Sequence, residues 1–117
     1  MNKVQLLRIE CHFLVKVDKQ KVLINHSESR IKRLRKNISR LNRWIDAGAR
    51  NRAHYRVQVK DLTDELSKLT RIRHIQNREM WALSKTICRL RAKRRGDMTT
   101  KNVDWILSQY IKDSIGA

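Results

Sequence analysis

The 117-residue chain contains no proline and only three glycines, Gly48, Gly96 and Gly116. That scarcity restricts the fold more than any motif does. A β-sandwich or barrel needs turn punctuation roughly every 8–12 residues, and three isolated glycines cannot supply it. Arg, Lys, Leu, Ala, Gln and Glu are common here and form helices readily. The expected fold is therefore all-α, with three to four helices in an antiparallel hairpin or bundle joined by short connections. Leu, Ile, Val and Phe number 31, above the roughly 20% below which a charged chain stays disordered. The length suits a single domain.

Charge is segregated along the chain. Of 28 Lys and Arg against 11 Asp and Glu, 21 basic and five acidic residues fall in 30–95, a net of +16 within a total of +17. Segments 1–29 and 96–117 carry +2 and −1. The expected organisation is a near-neutral N-terminal segment (1–29), a strongly basic helical hairpin (30–95) and a C-terminal amphipathic helix (96–117).

In the first segment, Val4, Leu7, Cys11 and Leu14 have helical spacing, whereas Cys11, Phe13, Val15 and Val17 alternate as in a strand. Helix is preferred because nothing else in the chain offers a sheet partner and a lone hairpin is marginal. Residues 18–21 are a candidate loop. Asn25 and Glu28 have capping-box spacing, with Ser27 as an alternative cap, so a new helix is expected there. Its apolar set, Ile31, Leu34, Ile38, Leu41 and Ile45, follows a 3-4-3-4 coiled-coil-like seam. Gly48 is the natural left-handed stop.

A second helix is expected from about Arg52 to Arg95. Tyr55, Val59, Leu62, Leu66 and Leu69 form its stripe, continued by Met80, Leu83, Ile87 and Leu90. Arg73 and Gln76 hold the register between them, and Ile72 and Ile75 lie to one side. Unbroken, such a helix is about 66 Å long, so the molecule is either elongated or kinked near 73–78. Gly96 ends this helix after a basic last turn that suits the helix dipole. Thr99 or Thr100 is the candidate cap of a final helix bearing Val103, Ile106, Leu107, Tyr110 and Ile111.

Chemistry-bearing constellations are sparse. His12, His26, His54 and His74 are scattered, and none pairs with another His or Cys at zinc spacing. Single glycines make no phosphate loop. Asp61 and Glu65 share a helix face, with Asp64 beside them. A metal site usually draws ligands from several elements, so these acids read as a solvated face paired with Lys60 or Lys68. No catalytic residues, cofactor or metal are assigned, and the chain is expected to be non-enzymatic. Cys11 and Cys88 are too few for a disulfide framework and are expected as buried thiols. Neither a signal-peptide core nor a membrane span is legible, so the expected setting is a reducing, cytoplasmic one. A faint helix-turn-helix spacing around Ala92, Gly96, Thr100, Val103 and Ile106 would present Thr100, Lys101 and Asn102. Charged Arg95 and Asp97 flank Gly96 where that motif needs apolar packing.

The basic centre is the dominant signal. Seven of the fourteen residues from Arg30 to Arg43 are cationic. A solvated face explains interleaved charge but not an excess this large, because self-repulsion along a helix is destabilising unless a partner relieves it. Sixteen Arg exceed twelve Lys, favouring bidentate phosphate or carboxylate contacts. The expected partner is nucleic acid, DNA or RNA, held by its backbone. The candidate residues are Arg30, Arg33, Arg35, Lys36, Arg40, Arg43, Arg50, Arg52 and Arg56, with Arg91, Lys93, Arg94 and Arg95 contributing. Trp44 is a candidate stacking platform, and Trp81 and Trp105 are expected to cap the core. The rival partner is an acidic protein surface, in an adaptor or inhibitor whose composition resembles small basic helical accessory proteins of phages and plasmids. Membrane adsorption is disfavoured because the seam is occupied by a helix. That seam can be filled internally or by a second copy in a homodimer.

Overall fold

The computed structural model describes residues 2–98 and 100–116. They form three helices and no strand: α1 (Lys3–Asp46), α2 (Arg52–Arg95) and α3 (Val103–Ile115). The all-α helical fold is thus as the sequence indicates, but helix boundaries differ at both ends of the chain.

α1 is one helix of 44 residues. The loop expected at 18–21 and the helix start expected at Asn25–Glu28 are both helix interior. The capping box sits instead at the true beginning. Gln5 N donates to Asn2 Oδ1 at 2.8 Å, and Asn2 N donates to Gln5 Oε1 at 3.0 Å. With no Gly or Pro before position 48, nothing in the sequence obliges the helix to stop earlier. It stops where Gly48 adopts φ +79°. Gly48 N donates to Ile45 O and Ala49 N to Trp44 O, the paired bonds of a Schellman motif. Gly96, at φ +92°, ends α2 the same way, with Gly96 N bonded to Lys93 O and Asp97 N to Ala92 O.

The chain divides into two compact units, Ile24–His74 and Met1–Leu23 with Ile75–Ala117. α2 is continuous from Arg52 to Arg95. The break anticipated near 73–78 is absent, and those residues are helix interior. Arg73 and Gln76 are half-buried at their in-register positions, while Ile72 and Ile75 are exposed.

The unit built from the chain ends is a three-helix bundle. Its core is Leu6 and Phe13 from α1, Leu83, Ile87 and Leu90 from α2, and Val103 and Ile106 from α3. Each such side chain contributes about 1.5–3 kcal/mol on burial. As α1 advances its partners on α2 recede: Glu10 reaches Arg91 and Arg94, and Gln20 Nε2 donates to Gln76 O at 2.9 Å. The helices are therefore antiparallel. The buried α1 seam runs through Leu6, Glu10, Phe13 and Gln20, with Ser27 and Ile31 continuing the same 3-4 rhythm in the other unit. The stripe expected at Val4, Leu7 and Cys11 is exposed, and Leu14 is only half-buried. Three polar seam residues concealed the real register. Cys11 and Cys88 are both exposed free thiols rather than core residues.

α3 begins at Asn102, whose side chain accepts from Trp105 N at 2.8 Å. Thr100 is not its cap, and Thr99 lies outside the described residues. Val103 and Ile106 face the core, while Ile111 is exposed. Lys101 and Thr100, which the helix-turn-helix spacing would present, are exposed ahead of α3, and Asn102 serves as its cap. Further along, Arg89 Nη1 meets Asp113 Oδ2 at 3.0 Å, and Tyr110 and Ser114 both donate to Glu79. Phe13 and Tyr110 pack edge to face at 5.0 Å. Burial, then the Glu79 carboxylate, pushes the Tyr110 hydroxyl up to about 12. Trp105 packs on this core, but Trp81 is half-exposed under Lys85 and caps nothing.

Candidate nucleic-acid interface

The other unit is a two-helix hairpin closed by the Gly48 turn. Ile31, Leu34 and Leu41 of α1 are buried, and Leu62, Leu66 and Leu69 of α2 are half-buried. Two helices have one shared seam, so every other face is left to solvent. Those faces are cationic. This unit carries fourteen Lys and Arg against five Asp and Glu.

Arg30 bonds Glu65 through Nε at 3.0 Å. It is the one cation of this unit with a carboxylate partner among the described residues. Of the acidic cluster, Glu65 thus engages α1 rather than Lys60 or Lys68, and Asp61 and Asp64 make no ion pair among the described residues. Arg33, Arg35, Lys36, Arg40 and Arg43 are all exposed on α1, as are Arg50 in the turn and Arg52 and Arg56 on α2.

Helical spacing sorts these cations. Positions 30, 33, 37, 40 and 44 follow each other at 3-4-3-4 intervals along one flank of the seam. Arg30, Arg33 and Arg40 thus share a row with Asn37 and Trp44. Arg35 lies beyond the seam on the opposite flank, and Arg43, with Lys32 and Lys36, on the face away from the seam, so the cations wrap α1 and do not form one stripe. Ser29, Lys32, Arg33 and Lys36 border a hollow of about 490 Å3, three cations and a hydroxyl suited to phosphate oxygens.

Aromatic groups gather where the row meets the turn. Trp44 is 42% exposed, Arg40 lies 5.4 Å over its ring, and Tyr55 sits 5.4 Å away at a tilt of 48°. Trp44, Arg40, Leu41 and Asn37 of α1 and Gln58, Asp61 and Leu62 of α2 line a pocket of about 370 Å3. Gln58 Nε2 is 3.1 Å from His54 Nε2. The sequence picked out Trp44 and Arg40. It did not pick out Asn37, Gln58 or Asp61 as their neighbours, because only the α1–α2 pairing brings them together.

The remaining candidate cations belong to the three-helix unit. Arg91 and Arg94 pair with buried Glu10, and Arg94 Nη2 is 3.2 Å from its Oε2. Lys93 is half-buried, and Arg95 faces Asp97 at 3.6 Å. Arg91 and Arg94 thus hold α2 to α1. Among the described residues no three His, Cys, Asp or Glu side chains gather as metal ligands, and no helix is long and apolar enough to cross a membrane. Compared with known proteins, the chain matches no family model, no curated protein and no solved structure.

Proposed function

We propose that this chain is a small, non-enzymatic, cytoplasmic nucleic-acid-binding protein that engages the DNA or RNA phosphate backbone through the α1–α2 hairpin. One observation carries the reading. Fourteen cations stand against five acids in this hairpin, and only Arg30 among the described residues has a carboxylate partner. Unneutralised like charge on paired helices disfavours the folded hairpin, and a polyanion relieves it by releasing its own counterions. Arg33, Lys36 and Arg40 would grip phosphates while Trp44 offers a ring face to a base. Arg91 and Arg94 are assigned to holding the bundle, not to binding.

Anisotropy titration of labelled random-sequence duplex, single strand and RNA hairpin against salt tests the reading. Micromolar or tighter binding near physiological salt, with a steep linear fall of log K against log salt, is the expected result. Loss of all three by about 0.15 M salt would leave only screened attraction and refute it.

A second reading is favoured by a groove in the three-helix unit. Ile9, Phe13, Leu107, Tyr110 and Ile111 line a hollow of about 510 Å3, edged by Arg8, His12 and Lys16. An apolar floor with a basic edge suits an acidic amphipathic segment of another protein. This is the adaptor or inhibitor alternative, in which the basic helices meet an acidic surface of a nucleic-acid enzyme or complex. The two near-neutral chain ends, which together line this groove, are then the specific docking elements. Binding that fails for nucleic acid and appears with an acidic amphipathic peptide would select it.

A further inference from the structure

We infer that the pocket beside Trp44 is a base-reading subsite that takes one unpaired guanine, a proposal that rests on the nucleic-acid reading above and makes it specific. Its apolar floor is Leu62 with Leu41, and its wall is the exposed Trp44 ring. A volume of about 370 Å3 lies within the range of ligand pockets, roughly 300–1,000 Å3. A flat, partly apolar body bearing polar edges is what such walls accept.

The polar groups choose the base. Asp61 of α2 opens onto the pocket and makes no ion pair among the described residues. On a surface built to attract phosphate, a carboxylate in the groove is a liability unless it reads something else. An ionised carboxylate only accepts, and its two oxygens match two donors side by side. On the Watson–Crick edges, guanine alone presents such a pair, N1–H and N2–H. Adenine and cytosine each set one amino donor beside an acceptor nitrogen, and thymine or uracil flanks its single N–H with carbonyls. Asn37 and Gln58 supply amide donors for guanine O6 and N7 from either helix. Gln58 Nε2 also lies 3.1 Å from His54 Nε2, which holds that side chain at the pocket edge.

Guanine uses N1–H and N2–H to pair with cytosine, so the subsite requires a single strand, a loop or a bulge, the usual target of base-specific recognition in unpaired nucleic acid. Arg40 already lies over Trp44, showing that the ring face accepts a planar group. An entering base takes that face, and the Arg40 guanidinium moves to the phosphate of the same nucleotide.

The test uses the full chain and labelled ten-nucleotide strands, of DNA and of RNA, that are all pyrimidine except for one central position. That position is guanine, adenine, cytosine or inosine, which lacks the N2 amino group. The expected result is about tenfold tighter binding of the guanine strand than of the adenine or cytosine strand, within the range attributed to one stacked, recognised base. Inosine loses most of that advantage. Asp61→Asn, a conservative exposed change, equalises guanine and adenine without abolishing binding. Trp44→Ala, with helicity checked by circular dichroism, weakens the guanine strand most. Equal affinity of the wild-type chain for all four strands, with a steep salt slope retained, overturns the guanine subsite and leaves backbone binding standing. Failure to bind any strand or duplex overturns both.

Discussion

Glu10 is the most informative residue to change, because burial and pairing make opposite demands on it. Its side chain is 3% exposed at a seam position between Leu6 and Phe13, while its partners Arg91 and Arg94 are 46% and 34% exposed. Removing one member of a fully buried pair costs about 3–5 kcal/mol, since a charge is stranded away from water. Here the stranded charges would be the two arginines, and both reach solvent. The loss in Glu10→Gln therefore falls to that of charged hydrogen bonds, about 1.5–3 kcal/mol. Glu10→Leu loses the same bonds but leaves no polar group to desolvate at this buried position. Glu10→Gln, though it too sheds the carboxylate charge, still buries an amide whose NH2 faces two guanidiniums. Glu10→Leu is expected within about 1 kcal/mol of the wild type, above Glu10→Gln in stability. Urea unfolding followed by far-UV circular dichroism reads the order directly, whereas guanidinium would screen the charges being compared. A residual deficit in Glu10→Leu should shrink with added salt, which screens Arg91 and Arg94 from each other. Glu10→Leu proving as unstable as Glu10→Gln at all salt concentrations would refute the argument that burying a polar group at this seam position opposes stability.

Phe13→Ala should cost about 3–5 kcal/mol in the same assay, because it opens a cavity under Tyr110 in the three-helix core; a loss below about 1 kcal/mol would contradict that packing. Tyr110 should ionise near pH 12, read as phenolate absorbance in a Tyr55→Phe background, where ionisation near the ordinary value of about 10 would refute its burial against Glu79. Its folded value lies above its unfolded one, so its contribution to stability is complete below about pH 10 and is lost as pH rises toward 12. Gly48→Ala meets no neighbouring atom but must hold φ +79°, so it should destabilise by about 1–2 kcal/mol, and no change in the urea midpoint would mean the turn does not need that conformation. Arg33→Gln with Arg40→Gln should lower the salt slope of duplex binding by about 1.8 if each contacts one phosphate, while leaving far-UV circular dichroism unchanged; an unaltered slope would remove both from the interface.

Much of the architecture was legible without coordinates, for reasons that lie in single residues. The absence of proline forced long helices, and Gly48 and Gly96 placed their ends, because a left-handed stop is a local backbone property that glycine alone meets easily. α2 runs over the residues that its stripe marked, Arg52 to Arg95. The α1 seam from Ile31 to Leu41 was equally plain, being apolar at each turn. The first half of α1 was misread because Glu10, Gln20 and Ser27 stand in its seam. Periodicity arguments count apolar residues, and a buried carboxylate held by two arginines from a helix 81 residues away looks like surface until the partner is in place. The same logic deceived at Cys11 and Trp81, whose spacing suggests a core that neither joins.

The candidate site divides likewise. Its charge, the exposure of Trp44 beside a basic helix and the location of both near the Gly48 turn were readable from the chain. Which arginines are engaged was not, since Arg30, Arg91 and Arg94 find their carboxylates across the α1–α2 pairing. Nor was the grouping of Asn37, Gln58 and Asp61 around Trp44. Sequence determines what is local here: helix propensity, stops and net charge. Tertiary structure decides which long side chains meet, because a helix pair sets its register through the whole seam, including the polar residues that no hydrophobic pattern records.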